Sequence, residues 1–337
     1  MIEKAGWRCP SNIALVKYWG KKENQIPCNT SLSMTLQHSY TETVITLEKK
    51  QKSGVEMEYY FEGQPNEHFH NRIFSYLQKY ASNFPVLEDH AIRIDSTNSF
   101  PHSTGIASSA SAFGALTLTL LSASGYTNND LMRKASYLSR LGSGSACRSM
   151  FGGYALWGKL NTVEDSSDEY AIPVTEVHSN FMNLHDAILI VDDTAKSVSS
   201  SKGHSLMEGH HYAQNRFDQA NKHSLNMLEV LKHGEFKEFV SIIEREALAL
   251  HAMMMTSDDY YLLMKPGTIN AIEEIMNFRK ESGINACFTL DAGPNVHVIY
   301  PDNDSEQVKI FLETVLKPKL KGIIYDHIGN GPQKIEC

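Results

Sequence analysis

The hydrophobic pattern of the chain changes near residue 180, and this change limits the possible folds more than any other feature. Before it, strand patterns dominate with helical patterns between them, whereas after it helices and strands alternate. The chain has 337 residues, enough for two domains or for one large domain with two lobes. We therefore predict one unit over residues 1–180 and a second over 181–337, with the boundary inside 175–185.

Local patterns predict the elements of each unit. In the first unit we predict strands over 5–16, 31–61, 90–96 and 152–158, and helices over 66–84, 112–125 and 127–140. In the second unit we predict strands over 186–193, 286–291, 296–300 and 322–325, and helices over 206–232, 235–254, 267–282 and 304–317.

The composition argues against several classes of protein. Five cysteines without a CxxC pair argue against a disulfide framework and against a structural zinc site. A net charge of −8 repels nucleic acid, and no apolar run approaches the roughly 20 residues that span a bilayer. With no signal-peptide pattern at the start, we expect a cytoplasmic protein without a nucleic-acid or membrane partner. An anionic ligand would need cations gathered locally against the overall charge.

The segment SNIALVKYWGKK, residues 11–22, carries several cations. If it is a strand that runs into a turn, Lys17 and Trp19 share one face and Tyr18 lies on the other. Taken alone, the segment is better explained as a solvated strand end whose lysines, Lys21 among them, extend into water.

The segment FPHSTGIASSASAFGAL, residues 100–116, is a turn of small residues that leads into a helix. Ser108 and Ser109 fall in the first helical turn, where unpaired backbone N–H groups attract phosphate, and Gly105 permits close approach. Serine hydroxyls can also ligate magnesium. The alternative is an ordinary N-cap before a tightly packed helix.

Small residues are also concentrated in GSGSACRS, residues 142–149. Ser143 and Ser145 carry hydroxyl donors, and Arg148 can bind a carboxylate or a phosphate with two parallel hydrogen bonds. The third glycine of a dinucleotide fingerprint is absent, which argues against a Rossmann fold. A linker in which Arg148 binds carbonyl groups explains the segment equally well.

In FTLDAGPNVHV, residues 288–298, Asp291 ends an apolar strand and begins a turn. Aspartate commonly starts turns for structural reasons. The functional alternative is a carboxylate at the mouth of a pocket, placed to accept a proton.

Five segments together resemble one family. NIALVKYWGK, FPHSTGIASSAS, GSGSACRSMFGGYALW, VSSSKGH and FTLDAGPN occur in the order found in the diphosphomevalonate decarboxylases of the GHMP kinase superfamily. The resemblance implies a two-lobed α+β fold, with an N-terminal lobe like ribosomal protein S5 domain 2 and a ferredoxin-like C-terminal lobe. It also implies ATP-dependent decarboxylation of mevalonate 5-diphosphate to isopentenyl diphosphate in the cleft, a requirement for ATP and Mg²⁺, and a homodimer.

The resemblance also implies residue roles. Asp291 would be the catalytic base, Lys17 would lie beside the reacting centre, and Arg148 would hold the substrate. Further substrate contacts are implied for Tyr18, Lys21, Ser143, Gly144, Ser145 and Ser200. Nucleotide contacts are implied for Asn98, Ser103, Gly105, Ala107, Ser108 and Ser109, with Ser109 also a magnesium ligand.

The sequence departs from the family at two places. His102-Ser103-Thr104 stands where relatives often have Thr-Ala-Ala, and Lys202 is the nearest cation to Ser201, where some relatives carry an arginine. Three rival functions remain at this point: a mevalonate 3-kinase, a decarboxylase of the monophosphate, and a non-catalytic small-molecule binder. The Lys17–Arg148–Asp291 set argues against the 3-kinase, and the presence of Asp291 and Lys17 argues against the binder.

Overall fold

The computed structural model describes residues 4–100, 108–194 and 200–337, and only the backbone of Asn128, Asn129, Ser200 and Ser201. The first unit is built on a largely antiparallel sheet. Its strands are β1 (Lys4–Val16), β2 (Ser31–Lys49), β3 (Met57–Phe61), β4 (Gln64–Pro65), β5 (His90–Asn98), β6 (Tyr154–Trp157) and β7 (Ala171–Val174). The order runs β1-β2-β5-β3-β4, with β6 and then β7 added beside β2, and β3 is parallel to β5.

Four helices accompany this sheet: α1 (Glu67–Tyr80), α2 (Val86–Asp89), α3 (Ser108–Ala123) and α4 (Asn128–Gly142). Helix α3 packs between the β1–β2 part of the sheet and α4. Its apolar residues point in every direction, which is typical of a helix buried on all sides. Phe113, Leu116 and Leu120, for example, are all buried. A short 3-10 helix, Gly144–Met150, follows α4 and leads to β6.

The second unit has the strands β8 (Leu184–Ile190), β9 (Cys287–Leu290), β10 (Val296–Pro301) and β11 (Gly322–His327), in the order β11-β8-β10-β9. Its helices are α5 (Ser200–Ser205), α6 (Ala213–His233), α7 (Phe236–Met255), α8 (Pro266–Ser282) and α9 (Ser305–Phe311). This order of antiparallel strands, with helices after β8 and β10, is the ferredoxin-like arrangement. The predicted α+β class and its two-lobed form are confirmed.

The chain returns to the first sheet at its end, where β12 (Gln333–Ile335) pairs antiparallel with β1. The predictions missed this strand and β7, since both are short and carry little apolar pattern. They also joined β2 to β3, although the polar, glycine-containing stretch 50–56 separates them. The helix predicted from 206 begins at Ala213 instead. Just before it, Gly209 has a φ of +72°, which breaks the helical path.

Across residues 4–100, 108–194 and 200–337, every helix is too short or too polar to cross a membrane.

Candidate active site

The two units meet around a polar cavity of about 140 Å³. Segments far apart in sequence line it: the end of β1 and the loop after it, the first turn of α3, the α4–3-10 junction, α5, and the turn after β9. The lining includes nine residues singled out from the sequence, namely Lys17, Tyr18, Lys21, Ser109, Ser143, Gly144, Ser145, Arg148 and Asp291.

An ion pair between the two units lies in this cavity. Lys17 follows β1, and its Nζ donates to Oδ1 of Asp291 at 3.0 Å across 274 positions of sequence. The Lys17 side chain is 2% exposed, whereas that of Asp291 is 28% exposed, so the carboxylate is the accessible member of the pair. Burial lowers the pKa of Lys17, and the charge of Asp291 opposes that shift.

The backbone of Lys17 is fixed from both sides. Its N–H donates to Oε2 of Glu246 at 2.8 Å, and its carbonyl accepts from Nδ2 of Asn29 at 2.9 Å. Glu246 lies on α7 and is fully buried, with Arg216 and His223 of α6 on its two oxygens. These contacts fix the backbone from which the Lys17 side chain extends into the cavity.

The backbone of Asp291 is fixed in the same way. Nε2 of His251, on α7, donates to the Asp291 carbonyl at 3.2 Å, and that carbonyl also accepts from the N–H of Gly293 at 2.7 Å inside the turn. Because a carbonyl only accepts, the proton of His251 is on Nε2. Burial lowers the pKa of His251 to about 4, so the ring is neutral at pH 7.

Arg148 is a buried, oriented cation. It lies on the 3-10 helix, is 3% exposed, and donates from Nε to Oδ1 of Asn12 at 3.3 Å and from Nη1 to the hydroxyl of Ser31. Asn12 is itself held, since its Nδ2 donates to Oγ of Ser149 at 2.7 Å. Burial lowers the pKa of Arg148, but a guanidinium starts from so high a value that it stays charged.

The cavity lining carries two further cations, Lys21 and Arg72. Lys21 donates to Oε1 of Gln25 at 3.1 Å, and burial together with the charge of Arg72 lowers its pKa. Arg72, on α1, stacks on the ring of Phe113 at 4.9 Å. The lining that the structure describes thus holds four lysine and arginine side chains against the single carboxylate of Asp291. In a protein of net charge −8, this is a local site for anions.

A smaller, apolar cavity of about 70 Å³ adjoins the first one. Arg72 and Ser109 line both cavities, and the Ser109 hydroxyl lies 3.0 Å from that of Ser143. The rest of its lining is mostly aromatic and aliphatic, together with Ser108 and Asn98, whose Oδ1 accepts from the Thr41 hydroxyl at 2.8 Å. This lining suits an apolar ring attached to an anionic group.

Comparison with known proteins identifies the family. Residues 9–170 match the diphosphomevalonate decarboxylase-like N-terminal domain, and residues 187–328 match the mevalonate 5-diphosphate decarboxylase C-terminal domain. A solved structure, MDDEF in complex with MVAPP, AMPPCP and magnesium, is 30% identical, has a TM-score of 0.85 and covers 99% of both chains. The chain belongs to the diphosphomevalonate decarboxylase family.

Other relatives agree over nearly the whole length. Mevalonate diphosphate decarboxylase from Staphylococcus aureus is 29% identical, with a TM-score of 0.86 over 100% of this chain and 99% of that chain. Diphosphomevalonate decarboxylase of Aspergillus fumigatus is 28% identical over 98% of this chain and 85% of its own length. The family membership that we predicted from the five segments is confirmed.

Several expectations about individual residues need correction or fall outside the structure. Lys17 and Tyr18 line the same cavity as Trp19, since β1 ends at Val16 and strand alternation does not apply beyond it. Lys17 is buried rather than solvated. Lys202 pairs with Asp259 at 2.8 Å on the surface and does not line the cavity. Ser103, Gly105, Ala107 and the side chain of Ser200 lie outside the described residues.

The sequence analysis missed cavity residues that carry no motif signal. Arg72 lies in an ordinary amphipathic helix, where a single arginine is normally a surface residue. Asn12 lies inside a strand. His204 belongs to the VSSSKGH segment, and its aromatic neighbours in the YWG segment are far away in sequence. For His204, the one sequence signal that could have indicated a site residue was a histidine in a segment rich in small residues.

Proposed function

We propose that this protein catalyses the ATP-dependent decarboxylation of mevalonate 5-diphosphate to isopentenyl diphosphate, ADP, phosphate and CO2. The observation that carries the proposal is the Lys17–Asp291 ion pair, 3.0 Å long, at the edge of a cationic cavity that also contains the oriented guanidinium of Arg148. A related solved structure contains MVAPP, AMPPCP and magnesium together, in keeping with this reaction.

The chemistry explains why a carboxylate beside an ammonium is needed. The substrate carries a tertiary hydroxyl at C3, β to its carboxylate, and hydroxide is a poor leaving group. Phosphoryl transfer from ATP to that oxygen converts the hydroxyl into a phosphate ester, and phosphate is a better leaving group. The transfer requires loss of the hydroxyl proton. Asp291 is the accessible acceptor for this proton. The ammonium of Lys17 favours the ionised form of Asp291 that can accept it.

Charge must also be controlled after phosphoryl transfer. Departure of phosphate makes C3 cationic, and loss of CO2 supplies the electrons for the new double bond. Arg148 would bind the substrate carboxylate or a neighbouring anion and align the C–C bond for cleavage. Asn12 and Ser31 fix the Arg148 guanidinium. Its positive charge would therefore stay beside the bound anion, as the reaction requires, because a cation directed at C3 would oppose the positive charge that develops there. Ser143 and Ser145 add hydroxyl donors beside it.

The adjoining cavity is where we place the nucleotide. Its aromatic and aliphatic lining suits the base, and Arg72 and Ser109, which line both cavities, suit the phosphates between base and substrate. We propose nucleotide contacts for Asn98, Ser108 and Ser109 on these grounds. Ser103, Gly105 and Ala107, and Ser200 on the substrate side, remain predictions from the family resemblance.

The residues present fit a magnesium ion bound with ATP. No cluster of three or more histidine, cysteine or acidic side chains within the described ranges could hold a metal ion by itself. Mg²⁺ commonly keeps several waters and binds phosphates plus one or two protein ligands, so a hydroxyl ligand suffices. We propose Ser109 as that ligand, since its hydroxyl lies where the two cavities meet. When bound, the ion would neutralise phosphate charge.

The purified protein, given mevalonate 5-diphosphate, ATP and Mg²⁺, should release ADP, phosphate and CO2 in equal amounts. ADP without CO2 would instead indicate a 3-kinase, and faster CO2 release from the 5-monophosphate would indicate a monophosphate decarboxylase. No ATP consumption with either substrate, or with mevalonate, would indicate a binding protein.

Three predictions about the organisation of the protein stand beside this proposal. We expect each chain to consist of two units that meet near residue 180. We also expect the protein to form a homodimer and to be located in the cytoplasm.

A further inference from the structure

His204 lines the cavity but has no part in the chemistry above. It lies on the short helix α5, between the ring of Tyr18 at 4.2 Å and the ring of Trp19 at 4.8 Å. Gly203 makes this packing possible, because a Cβ there would lie 2.3 Å from Cη2 of Trp19. The imidazole is therefore packed closely against both aromatic rings.

The hydrogen bond of this ring fixes its tautomer. The backbone N–H of Gly20 donates to Nδ1 of His204 at 3.1 Å. An N–H only donates, so Nδ1 carries the lone pair and the proton is on Nε2. Burial, with the nearby charges of Lys21 and Arg148, lowers the pKa of His204 to about 3, so the ring stays neutral at physiological pH. Within the residues described, Nδ1 is the nitrogen that has a partner, which leaves the Nε2–H for a ligand.

A second group beside His204 also lacks a partner. Tyr18 is only 9% exposed, and its hydroxyl is buried. This hydroxyl nevertheless makes no hydrogen bond to any described residue. A buried polar group without a partner costs free energy, so such a group in a cavity lining points to a ligand. The rings of Tyr18 and His204 are thus neighbours, and both residues line a cavity rich in cations.

The position of His204 indicates which part of the ligand it meets. Its hydrogen bond is to Gly20, directly before Lys21, whereas the reacting carboxylate of Asp291 is paired with Lys17. The loop after Gly20 is a tight hairpin, in which the N–H of Lys22 donates to the carbonyl of Ile26 at 2.7 Å. His204 therefore lies in the part of the cavity that Lys21 lines, and the charges that act on its ring are those of Lys21 and Arg148.

We infer that His204 is a substrate-binding residue that donates its neutral Nε2–H to an oxygen of the substrate diphosphate, beside the ammonium of Lys21. The inference rests on the proposed function, because it assigns the diphosphate of that substrate to the part of the cavity that Lys21 and His204 line. A neutral donor adds a hydrogen bond to the anion without adding a positive charge. The cavity lining already holds four lysine and arginine side chains. The contact is made equally in ground state and transition state, so it contributes to binding rather than to kcat.

Two matched variants separate the two nitrogens of the ring. His204→Gln places an amide N–H close to the position of Nε2, whereas His204→Asn places an amide oxygen close to Nδ1, where it can accept from Gly20. We expect His204→Asn to weaken the binding of mevalonate 5-diphosphate about tenfold to a hundredfold, with kcat within about twofold. His204→Gln should recover most of that affinity.

The measurements are the Kd of mevalonate 5-diphosphate by calorimetry without ATP, and KM and kcat from CO2 release. Normal affinity in His204→Asn, or an equal loss in both variants, would overturn the inference, because the ring would then act only through packing or through Gly20. Wild-type protein that binds the diphosphate but releases no CO2 would refute the proposed function and leave this contact standing.

Discussion

The backbone N–H of Lys17 donates to the buried carboxylate of Glu246 at 2.8 Å. Arg216 reaches both oxygens of the same carboxylate, and Nδ1 of His223 lies 2.6 Å from Oε1. Glu246 thus links the end of β1, in the first unit, to α6 and α7 of the second. Its hydrogen bonds and its partner Arg216 hold its pKa below the usual value in spite of burial.

Glu246→Gln should therefore strongly destabilise the protein, although glutamine has nearly the same size and shape as glutamate. The amide can still accept from Lys17, but Arg216 loses its counter-charge in the core. We expect the free energy of unfolding to fall by about 3–5 kcal/mol in denaturant titrations. Glu176→Gln, which breaks an exposed pair with Lys232, should cost at most about 1 kcal/mol. Equal losses in the two variants would show that Glu246 contributes no more than a surface carboxylate.

Asp291→Asn should nearly abolish turnover and leave nucleotide affinity near normal. The amide keeps the size of the side chain but cannot accept the C3 hydroxyl proton. We expect kcat to fall about a hundredfold to ten-thousandfold, measured by CO2 release. Asp302→Asn, which removes a carboxylate from an exposed pair with His185, should keep the wild-type rate. Activity above about a tenth of wild type in Asp291→Asn would remove Asp291 from the role of base.

Arg148→Lys should also be nearly inactive. A lysine keeps the charge but has no planar group to donate to Asn12, Ser31 and an anion at once. The expected loss in kcat/KM is roughly a hundredfold, from steady-state kinetics. Arg8→Lys serves as the control, since Arg8 pairs with Glu42 in a partly exposed position. Near-normal kinetics in Arg148→Lys would make Arg148 a structural residue.

Gly142→Ala should disturb the site through packing. A Cβ at Gly142 would lie 2.0 Å from Cδ1 of Phe113, the ring on which Arg72 stacks. Overpacking of this kind typically costs about 1–3 kcal/mol, and the shift of Arg72 should raise the KM for ATP. Gly322→Ala meets nothing within 4 Å and should change neither the unfolding free energy nor KM by a measurable amount. An unchanged KM in Gly142→Ala would argue against a nucleotide contact from Arg72.

Acid should destabilise the protein in part through His251. Its pKa of about 4 in the folded state is below that of an exposed histidine, near 6.5, so the unfolded chain binds the proton first. Stability is therefore present above about pH 6.5 and is lost as the pH falls towards 4, by about 3 kcal/mol in total. His251→Gln keeps an N–H donor for Asp291 and should flatten the pH dependence of unfolding by about one proton.

Local patterns were enough to identify most elements and the family. The apolar face of α7, predicted over 235–254, is observed over Phe236–Met255, and α8 agrees equally well. A helix or a buried strand is specified by the spacing of residues near one another in sequence, which the sequence displays directly. Lys17, Arg148 and Asp291 were also identified, because each stands in a segment that resembles the family.

Only the tertiary structure decided how these residues meet. That Lys17 is buried against Asp291, that Arg72 comes from an unremarked helix to the same cavity, and that β12 returns to β1 all depend on contacts between distant segments. Such contacts are fixed by strand register and by packing of the two units, and neither leaves a pattern within a short window of sequence. For the same reason the sequence showed His204 only as the last residue of VSSSKGH, while the fold placed its ring beside those of Tyr18 and Trp19 with one nitrogen bound to Gly20.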